Sequence, residues 1–374
     1  MIYDSILSTV GRTPTVRLQR IRGRGDVEIV VKLEARNPAG SIKDRTAIYM
    51  IEQAERSGRL SQGQTLIEST SGNLGKSLAL IGAARGYPVI LVVDPKTPQS
   101  VINYVRVLGA RVELVESPDE QGSYQRARLE RVNELLLEVP NAFWPNQYGN
   151  PDNPKAHALH TATEILADVG DFDTLVASVS TGGHFTGLSS AIKAERPDLV
   201  ALAVDALGSG ALGVPFTGYA MRGLGLAWQP ANLDRTLVDR VHFVADYEGI
   251  ATCLIMARCE GILVGESAGA AIFAAIHHAM HVPSRRILVI APDGGASYLE
   301  NWLDDAWLQA HGGIAAKMAD AGLLDLDGLL LGARSPARPA MEMSVLLKKL
   351  DSKLDLAPSS ESTDAESDVV TDDD

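Results

Sequence analysis

Three short polar stretches carry residue types suited to chemistry. The first, Asn37-Pro38-Ala39-Gly40-Ser41-Ile42-Lys43-Asp44-Arg45, leads into a helical pattern starting near Arg45. An ammonium there meets the positive end of the helix dipole, which should lower the Lys43 pKa and makes it a candidate Schiff-base nucleophile. Taken alone, a solvated surface lysine is the simpler account. The second stretch, Glu68-Ser69-Thr70-Ser71-Gly72-Asn73-Leu74-Gly75, runs from an apolar segment into another helical pattern. Successive backbone N–H groups and two hydroxyls at such a terminus suit a carboxylate or phosphate. An ordinary N-cap would explain Ser71 or Asn73, but not the whole cluster. The third, Ser180-Thr181-Gly182-Gly183-His184-Phe185-Thr186-Gly187, again lies between an apolar run and a helix. Its small residues let the backbone approach an oxyanion, so a phosphate group is the natural ligand. It is not GxGxxG and lacks the acidic residue of a ribose contact, which speaks against a dinucleotide. His184 is an acid, a ligand or a polar lining residue, and lining is the simplest of the three.

The elements that must position these loops follow from periodicity. Apolar, β-branched runs at 27–34, 65–70, 88–94, 111–116, 174–180, 201–207, 240–246 and 286–292 alternate with stretches whose apolar residues recur three and four apart. Near-continuous apolar strands alternating with helices predict an α/β protein with parallel sheets covered on both faces. Ligand sites in such sheets sit at strand ends, where the three loops fall.

Composition narrows the function. The 374 residues are 45% hydrophobic and 22% charged, the profile of a globular protein long enough for two domains. The longest charge-free run, Thr174 to Ile192, is broken by small polar residues, and the N-terminus lacks a basic segment followed by an apolar block. Neither a membrane span nor secretion is therefore expected, and the cytoplasm is the predicted location. Of the net charge of −13, seven acids lie between Glu361 and Asp374 with no base among them, leaving a body at −6. A mildly acidic body disfavours nucleic acid as a partner. Cys253 and Cys259 lie six apart in a predicted helix, and fit neither a disulfide framework nor a CxxC metal site. No metal is expected.

With Gly265-Glu266-Ser267-Ala268-Gly269-Ala270-Ala271, the three loops in this order resemble the pyridoxal-phosphate enzymes of the tryptophan-synthase β-subunit fold (fold type II), in the cysteine synthase and cystathionine β-synthase branch. The resemblance covers about Tyr3 to Trp307. It implies that Lys43 binds pyridoxal 5'-phosphate covalently, that Asn73 bonds the cofactor hydroxyl, and that Thr70, Ser71 and Gly72 take the substrate carboxylate with help from Gln147 in NQYGNP. It further implies a phosphate cup of Ser180, Thr181, Gly182, Gly183 and His184, with Ser267 facing the pyridine nitrogen. A serine hydroxyl cannot keep that nitrogen protonated as a carboxylate would, so β-elimination fits better than transamination. SIKDR and TSGN also differ from the dehydratase variants of the fold, which favours β-replacement over deamination.

Within the branch, LIESTSGNLG, VVDPK, PDEQGSYQRAR and NQYGN resemble the N-(2-amino-2-carboxyethyl)-L-glutamate synthase family. That resemblance implies joining of O-phospho-L-serine to L-glutamate on the way to 2,3-diaminopropionate for siderophores or antibiotics, with Arg128 and Tyr148 at the substrate pocket. Phosphate and dicarboxylate substrates both call for cations, and arginine offers a bidentate fork. Arg128 decorating an exposed helix face is an equal alternative at this point. His184 stands where the family has a small hydroxyl residue. The rival activity is a cysteine synthase using O-acetylserine or O-phosphoserine. A rival of another class is a non-catalytic homologue that binds a protein partner. The expected organisation is a smaller mobile domain at 45–145, a larger cofactor-binding domain of 1–44 plus 146–312, and a C-terminal extension at 313–374, largely disordered from about 357. SVLLKKLDSKL in that extension could form a short amphipathic helix. The family resemblance implies a homodimer acting on small amino acids.

Overall fold

In the computed structural model, residues 2–22, 27–70, 72–120 and 122–354 are described. All eight apolar runs form strands: β2 (Glu28–Leu33), β3 (Leu66–Ser69), β4 (Val89–Val93), β5 (Arg111–Leu114), β6 (Thr174–Ser178), β7 (Val200–Ala206), β8 (Arg240–Val244) and β9 (Arg286–Ala291). Two shorter strands, β1 (Thr15–Arg17) and β10 (Met341–Glu342), join them. A seven-stranded sheet runs β1-β2-β9-β6-β7-β8-β10, and a separate three-stranded sheet runs β3-β4-β5.

Every pairing among the eight is parallel, as the alternation of strands and helices requires. The two short strands depart from the expected parallel sheets, because β1 and β10 pair antiparallel with β2 and β8 at the sheet's edges. Neither belongs to a strand–helix–strand unit. Their three and two residues include Thr15, Arg17 and Glu342, so they lack the apolar run by which the others are legible.

Helices cover both faces of the large sheet. Glu266–His281 buries fourteen residues and packs against Asp246–Glu260. Glycines permit the close approach, since a Cβ on Gly269 would lie 2.4 Å from both Cys253 Sγ and Gly249 O. Cys253 and Cys259 are free thiols on the second of these helices. Two helical stretches are interrupted. Residues 152–168 contain a π-helical turn at His157–Thr161, a feature frequent near functional sites. Residues 297–312 break before Asp304, whose side chain caps a new helix by accepting from Ala306 N.

The C-terminal segment packs onto the fold through residue 354. Helices Ile314–Asp320 and Leu326–Arg334 lie against the Asp246–Glu260 helix, the latter also against Glu266–His281. After β10, the helix Met343–Leu354 buries Met343 and Leu346 in the core. The stretch SVLLKKLDSKL is thus helical, stabilised by packing its apolar face. The disorder expected from about 357 falls outside the described residues. No described helix is long and apolar enough to cross a membrane.

Candidate active site

Four parallel strands deliver the site from their carboxyl ends, where such sheets place ligands. β2 leads to the Lys43 loop, β3 to Thr70 and Asn73, β6 to the 180–184 loop, and β9 to Pro292 and Asp293. A cavity of about 410 Å³ is lined by Lys43, Thr70, Gly72, Asn73, Arg128, Gln147, Tyr148, Ser180, Thr181, His184 and Ser267. It falls within the range of small-molecule sites. Ser71 lies outside the described residues.

Lys43 is the first residue of the helix Lys43–Arg56, slightly earlier than periodicity suggested. Burial is the main cause that brings its amine down to about 8, while the Asp293 carboxylate opposes the fall. The sequence argument from the helix dipole thus has the right direction but not the leading cause. Two residues on, Arg45 fastens the helix. Its Nε donates to Glu34 Oε2 at 2.6 Å and its Nη1 to Glu164 Oε2 at 2.8 Å, while Lys32 Nζ reaches Glu164 Oε1 at 2.7 Å. Burial raises the Glu164 carboxyl, but these donors more than offset it and hold it near 2. The network fixes the backbone at Lys43 before any ligand arrives.

The second loop is ordered largely by its own hydroxyl. Gly72 N and Gly75 N both donate to Thr70 Oγ1, at 3.0 and 3.1 Å. Gly72 adopts φ 155°, in the region that favours glycine. Asn73 Nδ2 donates to Asp293 Oδ2 at 2.7 Å. Gln147 braces the same loop, donating from Nε2 to Ser69 O at 2.8 Å and from its backbone to Glu68 Oε2 at 3.1 Å. Burial raises Glu68 to about 7 despite these bonds.

The third loop is a tight cradle. Gly182, at φ 81°, has no room for a side chain, because a Cβ would lie 2.5 Å from Leu233 N. A Cβ on Gly183 would sit 2.0 Å from Asn153 Oδ1. These two glycines stand behind the cavity lining at the head of the helix Gly183–Glu195. Thr181 Oγ1 accepts from Asn153 Nδ2 at 3.2 Å, and Ser180 Oγ donates to Gly225 O at 3.2 Å. Burial lowers His184 to about 3, so its ring is neutral, and its Nε2 has no hydrogen-bond partner among the described residues. Ser267 Oγ, at the start of the Glu266–His281 helix, is likewise buried without one.

For Arg128 the exposed-face alternative is excluded. It is 1% exposed and lines the cavity, so it does not decorate an outer face. Its Nη1 lies 3.2 Å from Asp94 Oδ2, and its Nε has no hydrogen-bond partner among the described residues. The outward members of that helix are others, such as Arg131, which pairs with Glu134 and Glu138. Tyr148 packs edge-on against Trp228 with ring centroids 5.5 Å apart, and burial raises its phenol. Lys96 also lines the cavity, its Nζ 5.7 Å from the Tyr124 ring centroid.

Several polar residues of the site were missed from sequence, chiefly Asp293, Asp94 and Asn153. Asp94 and Asp293 directly follow or lie one residue beyond apolar strands, a position that could have marked both.

The site offers a depressed amine, a glycine cradle at a helix head, and two buried polar atoms, Ser267 Oγ and His184 Nε2, without hydrogen-bond partners among the described residues. These features fit a phosphorylated aldehyde bearing a heteroaromatic ring. A family profile described as "Pyridoxal-phosphate dependent enzyme" matches residues 6–293. The chain is 39% identical over 331 residues to N-(2-amino-2-carboxyethyl)-L-glutamate synthase of Cupriavidus metallidurans (strain ATCC 43123 / DSM 2839 / NBRC 102507 / CH34), covering 87% of this chain and 96% of that protein. It is 38% identical over 350 residues to the Ralstonia nicotianae (strain ATCC BAA-1114 / GMI1000) protein of the same name, covering 92% of this chain and 99% of that one. The crystal structure of a cysteine synthase from Entamoeba histolytica superposes with a TM-score of 0.76 at 31% identity, covering 84% of this chain and 96% of that one. With fold, site chemistry and relatives in agreement, the chain belongs to the pyridoxal-phosphate dependent enzymes and has their fold type II architecture.

Proposed function

We propose that this enzyme replaces the β-substituent of a serine-type donor, O-phospho-L-serine, by the amine of L-glutamate, giving N-(2-amino-2-carboxyethyl)-L-glutamate. The observation that carries this reading is Arg128, a buried guanidinium on the cavity wall with an unpartnered Nε. A buried cation of this kind is costly unless an anion completes its contacts. A phosphate or a γ-carboxylate does so, whereas sulfide offers no bidentate acceptor. The names of the two curated relatives support the same choice.

The residues take their roles from their surroundings. Lys43 would hold the cofactor, and its Nζ, when free, would take the proton from the donor Cα. The bound cofactor supplies the electron-withdrawing ring that makes this proton removable. Thr70, Ser71, Gly72 and Gln147 hold the α-carboxylate. Asn73 would meet the cofactor hydroxyl, the 180–184 loop its phosphate, and Ser267 its ring nitrogen. Arg128 and Tyr148 orient the donor phosphate or the glutamate side chain. The smaller unit at 45–145 moves against the remainder to exclude water from the reacting centre. A homodimer in the cytoplasm and a place in 2,3-diaminopropionate synthesis, for a siderophore or an antibiotic, belong to the same proposal.

The test pairs O-phosphoserine and O-acetylserine in turn with glutamate and with sulfide, and identifies the products by mass. A glutamate adduct from O-phosphoserine is expected, and robust cysteine formation without any adduct would transfer the assignment to a cysteine synthase. A partner-binding role of the acidic tail is tested by cutting after Leu354. A cut near Gly313 would instead strip Leu329, Ala333, Met343 and Leu346 from the core.

The Lys43 titration gives a second expected result. The neutral amine is the nucleophile, so uptake of pyridoxal phosphate by cofactor-free protein should accelerate as pH rises and level off above about 8. Stopped-flow absorbance measures this. A rate still climbing towards the ordinary lysine range would mean that burial does not lower this amine.

A further inference from the structure

Asp293 touches three loops of the site at once. Its backbone bridges Ser41, two residues before Lys43, and the neighbouring Pro292 O accepts from Ile42 N at 2.7 Å. Its carbonyl accepts from Gly265 N at 3.2 Å, two residues before Ser267. Its Oδ2 accepts from Asn73 Nδ2 at 2.7 Å and from the Tyr298 hydroxyl. Gly265 has no space for a side chain, since a Cβ there would lie 1.9 Å from Asp293 Oδ1. That Oδ1 is buried and has no hydrogen-bond partner among the described residues. A carboxylate so placed carries a desolvation cost that its tethering of the loops alone does not require.

We propose that Asp293 is a positioning residue of the reaction, which locks the Asn73 amide and supplies the counter-charge for the Lys43 amine. The proposal rests on the reading that Lys43 carries the cofactor. The locking follows from donor and acceptor types. With one N–H committed to a carboxylate, the Asn73 amide cannot turn over without aiming its own oxygen at an acceptor, so its remaining N–H stays available to a cavity ligand.

The counter-charge follows from the groups nearby. Lys43 faces His184 and His157, both held neutral by burial, and Asp293. Asp293 faces Lys76, Glu266, Tyr298 and the Cys253 thiol. Glu266 is paired with Arg222 at 3.1 Å, and that guanidinium also covers the Tyr298 ring at 4.5 Å. Asp44 is engaged by Ser77 and by the Ala39 N–H. Asp293 is therefore the carboxylate whose field acts on Lys43, and it opposes the effect of burial there.

Asp293→Asn tests this in the holoenzyme, because it keeps an acceptor oxygen for Asn73 and Tyr298 while removing the charge. The variant should melt as a folded protein and retain the visible absorbance of its cofactor. The pH midpoint at which that absorbance changes should move down by about one unit, the size of shift that a neighbouring charge produces. Its kcat should fall with little change in KM, since the charge acts on the amine and not on substrate capture. A loaded, folded variant with an unmoved midpoint overturns the proposal. If Asn at this position prevents folding, Asp293→Ser is smaller and is judged by the same midpoint. Lys43→Ala, measured in parallel, separates the two levels. Visible absorbance persisting in that variant would mean that the cofactor assignment itself is wrong, whereas its loss beside an unmoved midpoint in the Asp293 variant would reject the Asp293 role alone.

Discussion

Lys43→Ala should abolish the visible cofactor absorbance and lower turnover by about 10³-fold or more, the scale on which loss of a proton-transferring group acts. Both covalent attachment and Cα proton removal are assigned to this one nitrogen, so no other side chain in the cavity supplies the pair of roles. The lesion should be chemical and not structural. The helix start is held by Arg45 through Glu34 and Glu164, none of which touches the Lys43 amine. The melting temperature should therefore stay close to that of the parent. Absorbance spectra, steady-state rates and a melting curve suffice. Retained turnover would remove the basis of the proposed chemistry.

Arg128→Met carries the second large effect, and it has two separable parts. Deleting the guanidinium leaves Asp94 buried opposite an apolar side chain, which should cost about 3–5 kcal/mol of stability. It should also raise the KM for glutamate by roughly 10- to 100-fold, as loss of a charged hydrogen bond does. Combining Arg128→Met with Asp94→Asn removes the stranded carboxylate and should restore much of the melting temperature without restoring the KM. A KM that recovers together with stability would make Arg128 a strut and not a substrate contact.

The legible and illegible parts of this molecule divide along physical lines. Strands buried on both faces must be apolar throughout, so runs such as VILVV at 89–93 announce themselves within a residue or two of their ends. Glycines at 182 and 183 are legible for a related reason, because the Leu233 backbone at one and the Asn153 side chain at the other approach too closely for any Cβ. The inward face of Arg128 was not legible. Its helix has charged residues on several sides, and only packing against the small sheet shows that this one points at Asp94 and the cavity. The place of Asp293 just beyond an apolar strand marks a site position but not a role, because its role comes from Ser41, Asn73 and Gly265, which are remote in the chain. The edge strands were missed because two or three residues, with one apolar member each, have no periodicity to detect. The break before Asp304 is not legible either, because a capping side chain can interrupt an otherwise continuous apolar pattern.

β10 is only two residues long, yet it is the outermost partner of β8, whose other side is occupied by β7. Chains ending before Met341 would leave Arg240 and Val241 with a row of unsatisfied amide and carbonyl groups, open to recruitment by any extended peptide. Proteolysis in this region would then be followed by self-association of the clipped molecules even while the catalytic cleft stayed intact.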